Sequence, residues 1–249
     1  MNLRAFLLAA IASVAAVKAD FEMIDHDTVQ PFAQPEPTTD SEKTAVKFKP
    51  QLHISYGCHP YPAVNANGDV SAGLKWAGRA DGDCKGSALG SQVYSRSDWY
   101  KDKWAIMYAW YFPKGLQFTS KYREGHRHYW SYGIVWTDSS SPDNSTILGV
   151  SMFAGVEFGK ATPPESKYVV DGTTVKFDSF RSFWGSKQGL KLTTEEGATQ
   201  DLITWEQMTE EAQIALTGAK FDVAWSIREV VMPMSDNVFT TKLKKAYPF

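Results

Sequence analysis

A basic excess is missing from this chain. Its 249 residues carry 26 Lys+Arg against 28 Asp+Glu, a formal net charge of −2, so it has no electrostatic footprint of a nucleic-acid binder. Long apolar runs are also missing. Beyond the N-terminus the longest covers residues 104–112, nine in all, against the roughly 20 that a membrane-spanning helix needs. The chain contains no Gly-x-Ser-x-Gly elbow, no His-Glu-x-x-His, no phosphate loop and no Gly-x-Gly-x-x-Gly, which removes the common templates for hydrolysis, metalloproteolysis and nucleotide chemistry. No enzymatic activity is expected on that ground. Neither of the two cysteines has a second Cys or a His at zinc-ligand spacing, which argues against a zinc site there. Internal repeats, heptads and low-complexity tracts are absent as well.

What is present is apolar and aromatic. Hydrophobic residues make up 43% of the chain and aromatics 14%, with nine Trp. That content builds a sizeable core and is incompatible with a wholly disordered chain. The length suits one large domain or two small ones.

Residues 1–19 have the parts of a secretory signal peptide: Arg4 precedes an apolar run at 5–17 broken only by Ser13, and Lys18-Ala19 follows. The run is too short to span a bilayer; an N-terminal core helix is the alternative. Cleavage near Ala19 leaves 24 basic against 28 acidic groups, a net charge of −4, on an extracellular product released rather than anchored. An oxidising compartment lets disulfides persist, so Cys58 and Cys84 are expected to pair, stapling a loop rich in Gly, Asn and Asp. Two free buried thiols are the alternative. Asn144-Ser145-Thr146 is an N-glycosylation sequon in a polar loop.

Residues 20–45, acidic and holding Pro31, Pro35 and Pro37, read as an extended arm lying on a single domain at 46–249. Alternation at 46–50 and 52–54 predicts strands. The aromatic run at 104–112 predicts a central strand buried on both faces, and 129–137, 147–153 and 168–177 predict further strands. The last of these holds Asp171-Gly172, a strong hairpin signal. Thr209, Glu210, Glu211 and Gly218 mark the cap, first turn and stop of a helix, and a second is expected at 238–246. The sum is mainly β: two packed sheets with peripheral helices.

His126-Arg127-His128 is the conspicuous polar constellation. In extended backbone His126, His128 and Trp130 would share one face, with Arg127, Tyr129 and Ser131 on the other. A His pair binds metal only when a carboxylate or third imidazole joins it, and neither Tyr129 nor Ser131 is a good partner. On residue chemistry alone structural histidines are preferred. Paired acids such as Glu195-Glu196 and Glu210-Glu211 read as solvated faces or helix starts, and the Trp and Tyr excess reads as core before sugar platform.

Gly125-His-Arg-His-Tyr-Trp130 resembles the Gly-His-Arg-His-Asp-Trp-Glu heptapeptide of the necrosis- and ethylene-inducing-peptide-like (NLP) proteins, and Ala105-Ile-Met-Tyr-Ala-Trp-Tyr-Phe-Pro-Lys114 resembles that family's other hallmark stretch. Further matches are Val46-Lys-Phe-Lys-Pro-Gln-Leu-His-Ile54, Cys58-His-Pro-Tyr-Pro-Ala-Val-Asn65, Gly90-Ser-Gln-Val-Tyr94 and Gln200-Asp-Leu-Ile203. The resemblance implies a single-domain β-sandwich similar to actinoporin and fungal-lectin folds, of the one-disulfide oomycete type, in a secreted effector of a plant-associated microbe. It also implies plant partners: glycosyl inositol phosphoryl ceramides of the plasma membrane, which cytotoxic members bind and damage with help from Mg²⁺ or Ca²⁺, or an immune pattern-recognition receptor that sees the 105–114 block. The protein is expected to be a monomer.

Carried over position by position, the resemblance fails at the ion site. Gly125, His126, Arg127, His128 and Trp130 match the heptapeptide, but Tyr129 and Ser131 stand where its Asp and Glu belong, and Gly115 replaces the Asp after Pro113-Lys114. Hard divalent cations are held by anionic oxygens, and a phenol and a hydroxyl do not offset the desolvated charge of the ion. No bound metal or other cofactor is expected, and with it strongly reduced or absent cytolysis, although Glu124 stands near enough in sequence to compensate in part. An active cytolysin and a lectin-like glycan-binding module are the alternatives.

Overall fold

The computed structural model describes residues 21–116, 125–155, 157–182, 187–219, 221 and 231–249; the leader expected at 1–19 and Glu124 lie outside these. In chain order the elements are β1 (Met23–Ile24), α1 (Asp40–Lys47), β2 (Gln51–Ile54), β3 (Val70–Ser71), β4 (Gln92–Tyr100), β5 (Lys103–Gly115), β6 (His126–Thr137), β7 (Ile147–Phe153), β8 (Phe158–Ala161), β9 (Val169–Val170), β10 (Thr174–Arg181), β11 (Gln188–Leu192), β12 (Asp201–Thr204), α2 (Glu210–Gly218) and α3 (Asp236–Ala246).

β5 lies near the middle of the larger sheet because its sequence offers no polar face. Every residue from Trp104 to Gly115 is buried, as a strand covered on both sides requires. Two of its polar tips find partners across the core: the Tyr108 hydroxyl donates to the Ala45 carbonyl at 2.7 Å, and Trp110 Nε1 donates to Gln200 Oε1 at 2.7 Å, whereas Trp104 Nε1 is buried with no partner among the described residues. Tyr108 and Trp110 are therefore buried without orphaning their polar groups.

Around it the larger sheet runs β12-β4-β5-β6-β7-β8, and β11-β10-β2 with β9 beside β10 form the second. β1 pairs with β3 outside both. The two main sheets pack as a β-sandwich. Phe177 of β10 places its ring 6.1 Å from that of Trp110, edge to face. The same ring lies over Gly133 of β6, where an added Cβ would come within 2.6 Å of it. The glycine admits the phenyl group between the sheets, and burying such a ring stabilises by about 1.5–3 kcal/mol. The aromatics are mostly core, as expected: Trp104, Trp110, Trp130 and Trp136 are buried, while Trp99 is exposed.

One strand expectation fails. Val46 and Lys47 close α1 instead of opening a strand, so the helix crosses the expected arm boundary between residues 45 and 46. The Thr39 hydroxyl accepts from Glu42 N–H at 3.2 Å, and the Glu42 carboxylate accepts from Thr39 N–H at 3.1 Å and Thr38 N–H at 2.6 Å. This capping box nucleates the helix locally, which a five-residue alternation cannot overrule. Elsewhere local signals hold. Asp171 (φ 51°) and Gly172 (φ 72°) turn β9 into β10, and Thr209 caps α2 by accepting from Ala212 N–H. Cys58 and Cys84 are disulfide-bonded. Among the described residues no helix is long and apolar enough to cross a membrane.

Candidate functional site

β5 and β6 pair antiparallel without a register shift from Trp104↔Thr137 to Gly115↔His126. Both hallmark segments therefore end side by side at one edge of the sandwich, close to the end of β11.

The backbone there departs from simple alternation. His128 has φ 62°, a conformation L residues rarely adopt, and it resets the faces of β6. His128 and Trp130 both face Tyr111 and Phe221, with ring centroids 5.1–6.0 Å apart. His126 instead lies on the side of Tyr129, ring centroids 6.5 Å apart. The expectation that His126, His128 and Trp130 share a face is thus corrected: the two imidazoles are separated by the left-handed residue at the second of them.

Loop 71–79 explains why that conformation is held. The His128 ring rests on Gly73, whose added Cβ would fall 2.7 Å from it, and the Arg127 guanidinium donates to the carbonyls of Ala72 and Gly73. Lys114, 1% exposed, donates to the carbonyls of Ala77 and Arg79 at 3.4 and 3.2 Å. Trp76 lies across Gly125, where a Cβ would come within 1.9 Å of the indole. Arg127, His128 and Lys114 thus strap one loop to the strand ends. Neither Trp76 nor Gly73 carried a local sequence signal, because their role exists only across the chain crossing.

Burial disfavours the charged form of both imidazoles. Loss of hydration depresses the His126 pKa, and it pushes that of His128 down to about 3, with the Arg127 and His126 charges adding to the effect.

Positions 115, 126, 129 and 131 do come together. Gly115 abuts Tyr129. Ser131 is buried beside the Tyr129 hydroxyl, yet among the described residues its own hydroxyl makes no hydrogen bond of ordinary geometry. His126 directs Nδ1 at the Arg127 carbonyl at 3.0 Å, and its Nε2 is buried without a partner among the described residues. Among the described residues the donor set here is one imidazole nitrogen, one phenol and one hydroxyl, with no carboxylate. That does not fit a hard divalent cation, and among the described residues no cluster of three His, Cys, Asp or Glu could hold a metal. Gln188, which sequence reasoning passed over, receives the Tyr129 hydroxyl on its backbone carbonyl at 2.8 Å.

The chain is similar to proteins of known kind. A family model described as necrosis inducing protein (NPP1) matches residues 42–246. An NLP effector protein of Phytophthora capsici is 61% identical over 251 residues, covering 100% of both chains. A crystal structure described as non-toxic HaNLP3 protein superposes with a TM-score of 0.81 at 42% identity, covering 90% of this chain and 99% of that one. NLPPya in complex with mannosamine superposes with a TM-score of 0.78 at 40% identity, with 90% and 99% coverage.

Proposed function

The chain belongs to the necrosis-inducing protein (NPP1) family of NLP effectors, and on that footing we propose that it is a secreted effector that has lost its divalent-cation site and does not lyse plant cells. It works without catalysis, by binding. One observation carries this reading: the positions where the family resemblance calls for three carboxylates hold Gly115, Tyr129 and Ser131, gathered in one buried cluster beside His126. Each lost carboxylate removes an anionic oxygen that a hard cation needs. The likeness to a structure described as non-toxic supports the same conclusion.

Infiltrating purified protein into leaves tests it. No necrosis is expected, and rapid necrosis at modest dose means an active cytolysin. Calorimetric titration with Mg²⁺ or Ca²⁺ is expected to show no stoichiometric binding; a micromolar one-to-one isotherm removes the argument. Export depends on the 1–19 leader, so deleting it should keep the product inside the expressing cell.

A second reading has an observation of its own. A solved relative is described as in complex with mannosamine, so glycan recognition without lysis is a further role, read out by glycan-array binding in EDTA. Host immunity is a third party, through the 105–114 block, which is buried in the fold and is presented only once the chain is processed. A peptide covering residues 105–130 that elicits no response in a responsive plant excludes it.

A further inference from the structure

The pole of the sandwich away from the candidate site is built around residues 247–249. β5 runs 13 residues from Lys103 to Gly115, so its two ends stand roughly 40 Å apart. At the Lys103 end, the Lys101 ammonium lies 3.9 Å from the centroid of the Tyr247 ring, and Lys160 of β8 donates to the Tyr247 carbonyl at 2.9 Å. Lys103 lies 5.6 Å from the Phe249 ring. α3 ends just before Tyr247, with Lys244 and Lys245 in its last turn.

Lysines in a last turn offset the helix dipole, which accounts for Lys244 and Lys245 but not for Lys101 and Lys160, supplied by other elements. All four are exposed, and among the described residues none forms an ion pair with a carboxylate. Asp102, the acid of the β4–β5 turn, is already held by Lys103 at 2.5 Å and by the Tyr247 hydroxyl at 3.1 Å. Burial, and then the charge of Lys245, lower the pKa of Lys242, as happens where cations gather without anions. On a chain with a formal net charge of −2, such a face is an asymmetry that folding does not require, because like charges repel.

The make-up of the face selects its partner. Four cations from a turn, a strand and a helix end present charge at several places on one surface, which suits charge repeated along a polymer better than one small anion. Phe249, 47% exposed, is the large apolar side chain displayed there, too little apolar area to enter a bilayer as an interfacial helix does. The net negative chain opposes a polymer as densely charged as nucleic acid. A polyuronate is more sparsely charged, and the apolar faces of its sugar rings suit a half-exposed phenyl group.

We propose that the face formed by Lys101, Lys160, Lys244 and Lys245 is a docking surface for an acidic polysaccharide whose carboxylates are spaced along its chain. It stands apart from the cluster at 115–131 and does not depend on whether that cluster binds a cation.

Binding of the purified chain to immobilised polygalacturonate, in EDTA so that no divalent cation bridges the two, tests this beside neutral dextran. Retention that falls as salt rises is expected on polygalacturonate, and none on dextran. Changing Lys101→Asn, Lys244→Gln and Lys245→Gln together should weaken binding about tenfold; Asn is chosen at 101 because that residue has φ 54°. The Lys244→Gln, Lys245→Gln pair, which leaves the hairpin intact, should weaken it about fivefold. A control with Lys75→Gln, Lys85→Gln and Lys167→Gln loses the same charge elsewhere and should bind within about twofold of the wild type. Lys244→Arg with Lys245→Arg keeps the charge and should bind as the wild type does. No retention of the wild type, or equal weakening in the two triple variants, overturns the proposal. Tighter lysine-dependent binding to phosphatidylcholine–phosphatidylserine vesicles or to duplex DNA assigns the face to another polyanion and overturns it as well.

Discussion

The phenolic oxygen of Tyr111 lies 2.7 Å from Nδ1 of His128 and 3.1 Å from the Ser71 hydroxyl, and the Gly73 N–H donates to that same Ser71 hydroxyl at 3.2 Å. One buried polar chain thus ties the centre of β5 to the left-handed residue of β6 and to the loop both strands support. In this setting His128 must stay neutral. Its pKa is pushed down to about 3 in the fold, against about 6.5 in the unfolded chain.

That difference has a sign. Between about pH 6.5 and 3 the unfolded state binds the proton and the folded state does not, so stability is complete above about 6.5 and falls as pH falls towards 3. The depression from about 6.5 to about 3 corresponds to on the order of 5 kcal/mol, reached only at the acid end of that window. Replacing His128 by Asn, which does not titrate, should flatten the stability-versus-pH curve between pH 6 and 4 relative to the wild type. An unchanged slope in urea unfolding at three pH values would mean that other groups carry the dependence.

The disulfide between Cys58 and Cys84, 26 residues apart, closes a loop with little apolar content of its own. Converting both cysteines to Ser should lower the unfolding free energy by about 3–4 kcal/mol, the chain-entropy value for a loop of that length. A loss below about 1 kcal/mol in denaturant titration would show that the loop is held by its other contacts.

Trp76 covers Gly125 so closely that position 125 has no room for a methyl group. Gly125→Ala is expected to cost about 1–3 kcal/mol through overpacking, and adding Trp76→Ala should recover much of that cost. Thermal unfolding of the two variants decides the matter. If Trp76→Ala brings no recovery, the indole is not what restricts the position.

Asn144 is exposed, in a loop whose neighbours are fixed by Lys47 Nζ donating to Pro142 O at 2.7 Å and by Thr146 N–H donating to Asp138 Oδ1 at 2.8 Å. Secretion from a glycosylating host should add one glycan at this residue, removed by Asn144→Gln and read by intact mass. A wild-type chain of unmodified mass under those conditions would show that the sequon is not used.

Much of the fold could be read from local pattern. The aromatic run at 104–112 lies in buried β5, Asp171-Gly172 turns β9 into β10, and Thr209 caps α2, because in each case the deciding interactions lie within a few residues. Thr39 and Glu42 carried an equally local signal, and the capping box they form overrode the alternation at 46–50. The candidate site was half legible. Its residue identities, including the absence of an acid at 115, 129 and 131, stand in the linear sequence. Its faces did not follow, since one positive φ at His128 reversed the alternation on which they depended.

The linear order of residues therefore determined the class of the protein and the identity of its candidate-site residues: a β-rich chain whose 115, 129 and 131 positions bear no acid. Those are properties of composition and spacing, which no folding event changes. Only the tertiary structure decided how those residues meet. Gly115 and Tyr129 are 14 positions apart, and the pairing of β5 with β6 brings them so close that a Cβ added to Gly115 would lie 2.4 Å from Tyr129 Cβ. Excluded volume acts between atoms that the chain brings together, and no pattern along the chain records it.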